Sequence, residues 1–230
     1  MSKRLIIILA VILALVAASE ALVPTVVSDI VARGMANLTG SDNVSVTVVK
    51  HPAIYMFGGQ FDQITVQETN AKIDKITFSD MKVALSNAQL DMGALVSHRQ
   101  IVLKTVQDVD LSVTVTQEEL ANYLNQAVKG VKNSTVAITP ENVKVSSNFA
   151  IGGFANVAVT LEGKIIGEGQ KIKFVTERFL LNNMLVGNIG GSVLTEIQLV
   201  DLKKLPFNVS VRDIDMEQGK VIINTDNRPR

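Results

Sequence analysis

Two carboxylates on one strand and a histidine ahead of a proline are the residues of this sequence best placed to do chemistry. Asp108 and Asp110 stand two apart, which puts both on one face of a strand, the placement a general acid and its base would need. They alternate with Val109 and Leu111, however, and that alternation marks a strand with one solvated face. His51 precedes Pro52 with no partner identifiable in the sequence, so it reads as a strand-end residue rather than a base. The 230 residues contain no Gly-x-Ser-x-Gly elbow, no phosphate-cradling Gly-x-x-x-x-Gly-Lys and no His-Glu-x-x-His. Gly152-Gly153 and Gly187 to Gly191 lack the strand-to-helix setting of a dinucleotide site. There is no cysteine, which removes disulfides, thiolate chemistry and a lipidated cysteine, and two histidines are too few for a histidine-rich metal site. We therefore expect no catalytic residue, no metal site and no cofactor, and binding rather than catalysis.

The elements that would position a binding site begin with residues 24–38, PTVVSDIVARGMANL. At helical angles Val27, Ile30, Val31, Met35 and Leu38 gather on one face, with Ser28, Asp29, Arg33 and Asn37 opposite. Pro24 suits the first helical turn, and Gly40-Ser41-Asp42-Asn43 stops the helix. Such a stripe either caps one face of a sheet or lies cradled within a curved one, with room for an acyl chain.

Most of the chain beyond this helix reads as strand. Val44, Val46 and Val48 alternate with Ser45 and Thr47. Two long strands fill residues 60–89, joined near 70–75, and the second changes phase between Ile76, Phe78 and Met81, Val83, Leu85. Similar changes fall between Ile101, Leu103 and Val109, Leu111, Val113, and between Val209, Val211 and Ile214, Met216. One extra residue flips the phase, bends the strand and raises its twist, so the pattern predicts strong curvature. Leu90 to Val96 reads as a short helical turn. A second helix starts at Thr116, whose spacing to Glu119 forms a capping box, and runs to Gly130 with Glu118, Asn122, Asn125 and Lys129 on its solvated face. Strands return at 135–139, 143–151, 156–166 and 171–180. Residues 182–200 fit either loop or helix, and a hairpin turning at Gln218-Gly219 closes the chain.

One short stretch stands apart. Ile54, Tyr55, Met56 and Phe57 lie together before Gly58-Gly59, in a chain with only 4% aromatics. The cluster is either a plug at the end of the core or, if exposed, a tip that dips into a membrane interface.

Ahead of the first helix, Lys3 and Arg4 precede an apolar run from Leu5 to Ala18, with small residues at 17–19 and 19–21 suited to cleavage. Residues 1–23 are therefore a signal peptide or, continuing through Ala21 to Val23, an uncleaved anchor. Export to the outer face of the cytoplasmic membrane, or to the periplasm or cell envelope, is expected. Residues 24–230 are expected to form a single domain, since no linker of disordered composition divides them. Lys plus Arg and Asp plus Glu balance at 22 each, with no basic stripe, so nucleic acid is not expected as a partner.

In this order the landmarks become specific: the leader, the Pro24 helix, His51-Pro52 followed by Gly59-Gln60-Phe61-Asp62, then Leu90-Asp91-Met92-Gly93-Ala94-Leu95, Thr116-Gln117-Glu118-Glu119-Leu120 and Asp201-Leu202-Lys203-Lys204-Leu205-Pro206-Phe207. Together they resemble the LmeA family of phospholipid-binding envelope proteins over roughly residues 24–224. The resemblance implies a bacterial, exported, non-enzymatic protein whose partners are phospholipid and the membrane surface, with a role in envelope lipid assembly or transport. It also implies kinship with tubular, BPI-like lipid-binding folds. The expected fold is thus α+β, a strongly curved antiparallel sheet wrapped around a long N-terminal helix. The candidate acyl-chain groove lies between Val27, Ile30, Val31, Met35 and Leu38 on the helix and Phe78, Met81, Val83, Val109, Leu111 and Val113 on the strands. Ile54, Tyr55, Met56 and Phe57 are the candidate membrane contact. A structural envelope protein whose concave face is simply core is the competing expectation.

Overall fold

The computed structural model describes residues 3–73, 75–127, 131–151, 155–182, 184–185 and 196–229. They form two compact units, one of Met1–Glu68 with Lys82–Val109 and the other of Thr69–Met81 with Asp110–Arg230. The expected turns at Gly152-Gly153 and Gly187 to Gly191 and the expected helix end at Val128 to Gly130 lie outside the described residues.

The first unit is built on helix α1, Lys3–Thr39. It does not begin at Pro24. The helix runs through the proline, which forgoes one backbone hydrogen bond inside an otherwise strongly helix-forming apolar segment. Beyond that point α1 packs against β1 (Asn43–Val49), a 3₁₀ turn at Ala53–Gly58 and α2 (Met92–His98). The close approach to α2 needs Gly34, where a Cβ would meet the side chains of Ile101 and Leu95 at 2.7 Å. Gly40, at φ +67, then ends the helix, its N–H donating to the Ala36 carbonyl.

Strands β2 (Gln60–Ile73) and β3 (Ile76–Leu90) are long enough to contribute to both units. Burial along β3 changes phase between Phe78 and Met81, as expected, and again near Asn87. Asn87 and Asn70 both hold positive φ, a conformation asparagine tolerates better than most residues, and both sit where the inward face of their strand switches. Asp91 caps α2, its carboxylate accepting from the Ala94 N–H at 3.0 Å. The expected continuous strand from Ile101 to Val115 is instead two. β4 (Leu103–Thr105) pairs with the end of β3, and β5 (Asp108–Thr116) starts anew after the Gln107 N–H bonds the Ser86 carbonyl.

In the second unit β5 leads into α3 (Gln117–Ala127), and the capping box is made in both directions. Glu119 accepts from the Thr116 N–H at 2.8 Å, and Thr116 Oγ1 accepts from the Glu119 N–H at 3.3 Å. The chain then meanders through β6 (Val131–Ile138), β7 (Val143–Ile151), β8 (Ala155–Glu168) and β9 (Lys171–Leu181), each antiparallel to the next. The ambiguous stretch after it contributes β10 (Met184–Leu185) and β11 (Glu196–Asp201), both paired with β9. The closing hairpin, β12 (Ser210–Glu217) and β13 (Lys220–Asp226), turns at Gly219, and its register shifts between Val211 and Asp213 where the phase change was expected.

The result is two antiparallel sheets, not one. The first runs β1-β2-β3-β5-β13-β12 with β4 beside β3, and the second runs β10-β9-β8-β7-β6 with β11 beside β9. The split follows from pairing. The meander satisfies its own backbone groups, while the C-terminal hairpin returns to β5, setting Ile223 against Val113. The strands of the path form no closed barrel. Gly167 is bare where β12 crosses β8; a Cβ there would meet the Val211 side chain at 2.3 Å.

Candidate functional site

A 3₁₀ helix repeats every three residues, so Ala53 and Met56 share one face of the turn and Ile54, Tyr55 and Phe57 fall outside it. Ala53 and Met56 are wholly buried, while Ile54, Tyr55 and Phe57 are 53%, 52% and 55% exposed. The cluster is thus divided, with one side chain serving as plug and three facing solvent. Gly59, at φ +81, closes the turn by donating to the Met56 carbonyl, and its own carbonyl accepts from the Leu90 N–H.

One carboxylate fixes this turn to α1. Glu20 Oε1 accepts from the Ala53 N–H at 2.9 Å, and Oε2 lies 3.1 Å from His51 Nδ1. On the N-terminal side of Glu20, α1 exposes nearly every large side chain, including Leu5, Ile6, Ile7, Ile8, Val11, Ile12, Leu13, Leu15 and Val16. This helix is long and apolar enough to cross a membrane. Lys3 and Arg4 stand at one end of the apolar stretch and Glu20 at the other. The bonds to Ala53 and His51 therefore bring three exposed apolar side chains beside the end of an exposed apolar helix.

The expected groove residues have mixed positions. Val27, Val31 and Met35 are buried, with Val23 before them and Thr39 after. Ile30 is only half-buried and Leu38 is 41% exposed. The buried line steps by four residues, and at 3.6 residues per turn each step advances it by about 40° around the helix. By Met35 and Thr39 it has turned away from the side on which Leu38 projects. Phe78, Met81, Val83, Val109, Leu111 and Val113 are all buried. Val83 and Val109 belong to the first unit, and Phe78, Met81, Leu111 and Val113 to the second.

The strand residues considered for acid–base work are otherwise engaged or solvated. Asp110 is exposed and ion-paired with Arg228, and the His51 side chain is 78% exposed beside Glu20. A carboxylate that the sequence did not single out is better hidden. Glu68 on β2 is buried, and its Oε2 accepts from Thr39 Oγ1 at 2.6 Å while Oε1 has no partner among the described residues. Burial pushes its carboxyl above its ordinary range, against the lowering effect of Thr39. Its alternation within β2 was the only signal, and a glutamate on the inward phase of a strand is easily read as a phase error.

The second unit holds a cavity of about 480 Å³ with polar walls. Asn70, Lys72 and Lys75 come from the tip of the β2–β3 hairpin, and Glu118, Asn122 and Gln126 from α3 at successive i, i+4 positions. Glu119 also borders it, but its carboxylate is taken by the capping box. Of the helix face read as solvated, Glu118 and Asn122 therefore line a concavity, while Asn125 accepts from the Ser134 N–H at 2.9 Å and Lys129 lies outside the described residues.

A family model described as LmeA-like phospholipid-binding matches residues 18–226. No curated protein and no solved structure matches the chain.

Proposed function

The chain belongs to the LmeA-like phospholipid-binding family, and from that premise we propose that it is a non-enzymatic phospholipid carrier or assembly factor of the bacterial cell envelope. In this reading residues 1–23, which take in the N-terminal part of α1, are an uncleaved anchor, and the remainder works at the outer face of the cytoplasmic membrane. The observation that carries it is the junction at Glu20. A cleaved leader would end within a few residues of a carboxylate that bonds both Ala53 and His51, whereas an anchor would hold Ile54, Tyr55 and Phe57 at the interface. Tyr55 suits that depth, since its ring can enter the headgroup boundary with its hydroxyl in water. Acyl chains would be taken between α1 and bulge-bent strands. Each buried methylene is favourable by about 0.8 kcal/mol, so valine, isoleucine, leucine and methionine suffice without a polar motif.

The test is native mass spectrometry of protein extracted gently from membranes, paired with vesicle binding by a chain beginning at Ser19. Bound phospholipid masses are expected. Replacing Ile54, Tyr55 and Phe57 together by Ser should weaken vesicle binding at nearly unchanged melting temperature, because the three side chains are exposed. Lipid-free protein, or undiminished vesicle binding by the triple variant, would overturn the proposal.

A further inference from the structure

The polar cavity of the second unit has opposite charge on its two walls. Lys72 and Lys75 on the hairpin wall make no ion pair among the described residues, and neither does Glu118 on the α3 wall. Both lysines and Glu118 border the same open space. We propose that this cavity is a headgroup site for a phosphate ester bearing a primary amine, the chemistry of phosphoethanolamine. The assignment to a lipid headgroup rests on the phospholipid-binding function proposed for the chain.

Charge and shape both select such a ligand. Lysine ammoniums are point-charge binders of phosphate, so Lys72 and Lys75 take the phosphate oxygens. A ligand that was only anionic would leave the Glu118 carboxylate facing it unpaired. A quaternary ammonium could meet that charge but has no N–H to donate to Glu118, whereas a primary ammonium has three. The amides of Asn70, Asn122 and Gln126 can donate to the ester oxygens. Acyl chains have no place against these walls, so the cavity would read the polar end of a lipid while apolar surfaces hold its chains. Tyr123, also on α3, has its hydroxyl bonded to the Gln198 carbonyl at 3.0 Å.

The test titrates full-length protein in detergent micelles with glycerophosphoethanolamine, glycerophosphocholine, glycerol phosphate, O-phosphoethanolamine and inorganic phosphate, following 31P line broadening. Glycerophosphoethanolamine should bind about two- to fivefold more tightly than glycerol phosphate, the range one exposed ion pair can supply, and by a smaller factor more tightly than glycerophosphocholine, which keeps the positive charge but has no N–H to donate to Glu118. Lys72→Gln with Lys75→Gln should weaken it by about tenfold, two such pairs being lost. Glu118→Gln should erase the preference for the amine while phosphate binding persists. Equal binding of the amine-bearing and amine-free ligands, or a preference that survives Glu118→Gln, overturns the site. Tighter binding of O-phosphoethanolamine than of the glycerol diester would overturn the lipid source in favour of a free phosphate monoester. Vesicle binding by the Lys72 and Lys75 double variant separates the headgroup site from the membrane-contact turn, because the exposed turn of the first unit is untouched. Unchanged vesicle binding with about tenfold weaker glycerophosphoethanolamine binding is expected.

Discussion

The two units keep their polar and apolar groups in opposite places. Around Glu20 in the first, apolar side chains face solvent while the carboxylate is turned back to bond Ala53 and His51. Around α3 in the second, Leu120 and Leu124 are buried while Lys72, Lys75 and Glu118 border open space. Both α1 and α3 carry recognisable helical patterning, so the difference lies in what each presents outward. Contact with a lipid needs both kinds of surface, one that tolerates hydrocarbon and one that competes with water for a charged headgroup. This division can be attacked directly, because it states for single side chains which are held inside and which are not.

The largest effect should come from charging the inward line of α1. Val31 is 2% exposed, so Val31→Asp must either keep a carboxylate desolvated or protonate it, at a cost of about 3 kcal/mol or more. Ile30→Asp, one position away, should cost well under half of that, because Ile30 is only half-buried. Thermal melts of the two variants check the contrast. Equal losses would mean that the buried line does not follow the four-residue steps from Val23 to Thr39.

That contrast also marks where the sequence was legible. Periodicity placed Val27, Val31 and Met35 inward correctly, since burial is a local property of a helix face. It could not show that the line drifts away from Leu38, which depends on what α1 packs against. The capping box at Thr116, the hairpin at Gly219 and the bulge after Val211 were readable because each is made by neighbours in sequence. The bonds of Glu20 to Ala53 and His51 join residues more than thirty positions apart, and no spacing rule reaches them. Asn70, Asn87 and Asn133 hold positive φ within or between paired segments, and asparagine is equally at home in an ordinary turn, so their composition signal was ambiguous. The division into two sheets was hidden for a related reason: strand patterning says which face is inward, not which strand is the partner.

A smaller effect separates plug from tip within one turn. Met56 is wholly buried, so Met56→Ser should cost about 2–4 kcal/mol through lost burial and an unfilled cavity. Tyr55→Ser alone should stay within about 0.5 kcal/mol, as exposed sites usually do. Denaturant unfolding reads both. A destabilised Tyr55→Ser would return the whole cluster to the core and leave the first unit without its outward apolar surface.

The finest test concerns Glu68, the buried carboxylate of the first unit among the described residues, and it is read as a slope. Thr39 Oγ1 lies 2.6 Å from Glu68 Oε2 and 3.0 Å from the Met35 carbonyl, but its single hydroxyl proton can serve only one of them. When Glu68 is protonated it can donate to Thr39, freeing the threonine proton for Met35, and Oε1 is left as a neutral carbonyl rather than part of a charge. When it ionises, Oε1 remains a buried charge without a partner. Burial accordingly raises the folded-state pKa above the unfolded value. For an acid shifted in that direction, the stabilising contribution is fully present below the unfolded pKa and is lost as pH rises through the folded one. Glu68→Gln keeps the shape and never ionises, so it should remove this part of the pH dependence and be the more stable form in alkali. The measurement is melting temperature against pH for the two proteins. Their curves should diverge as pH rises from the ordinary glutamate range, and curves that stay parallel would show that Glu68 is paired or solvated in the folded state.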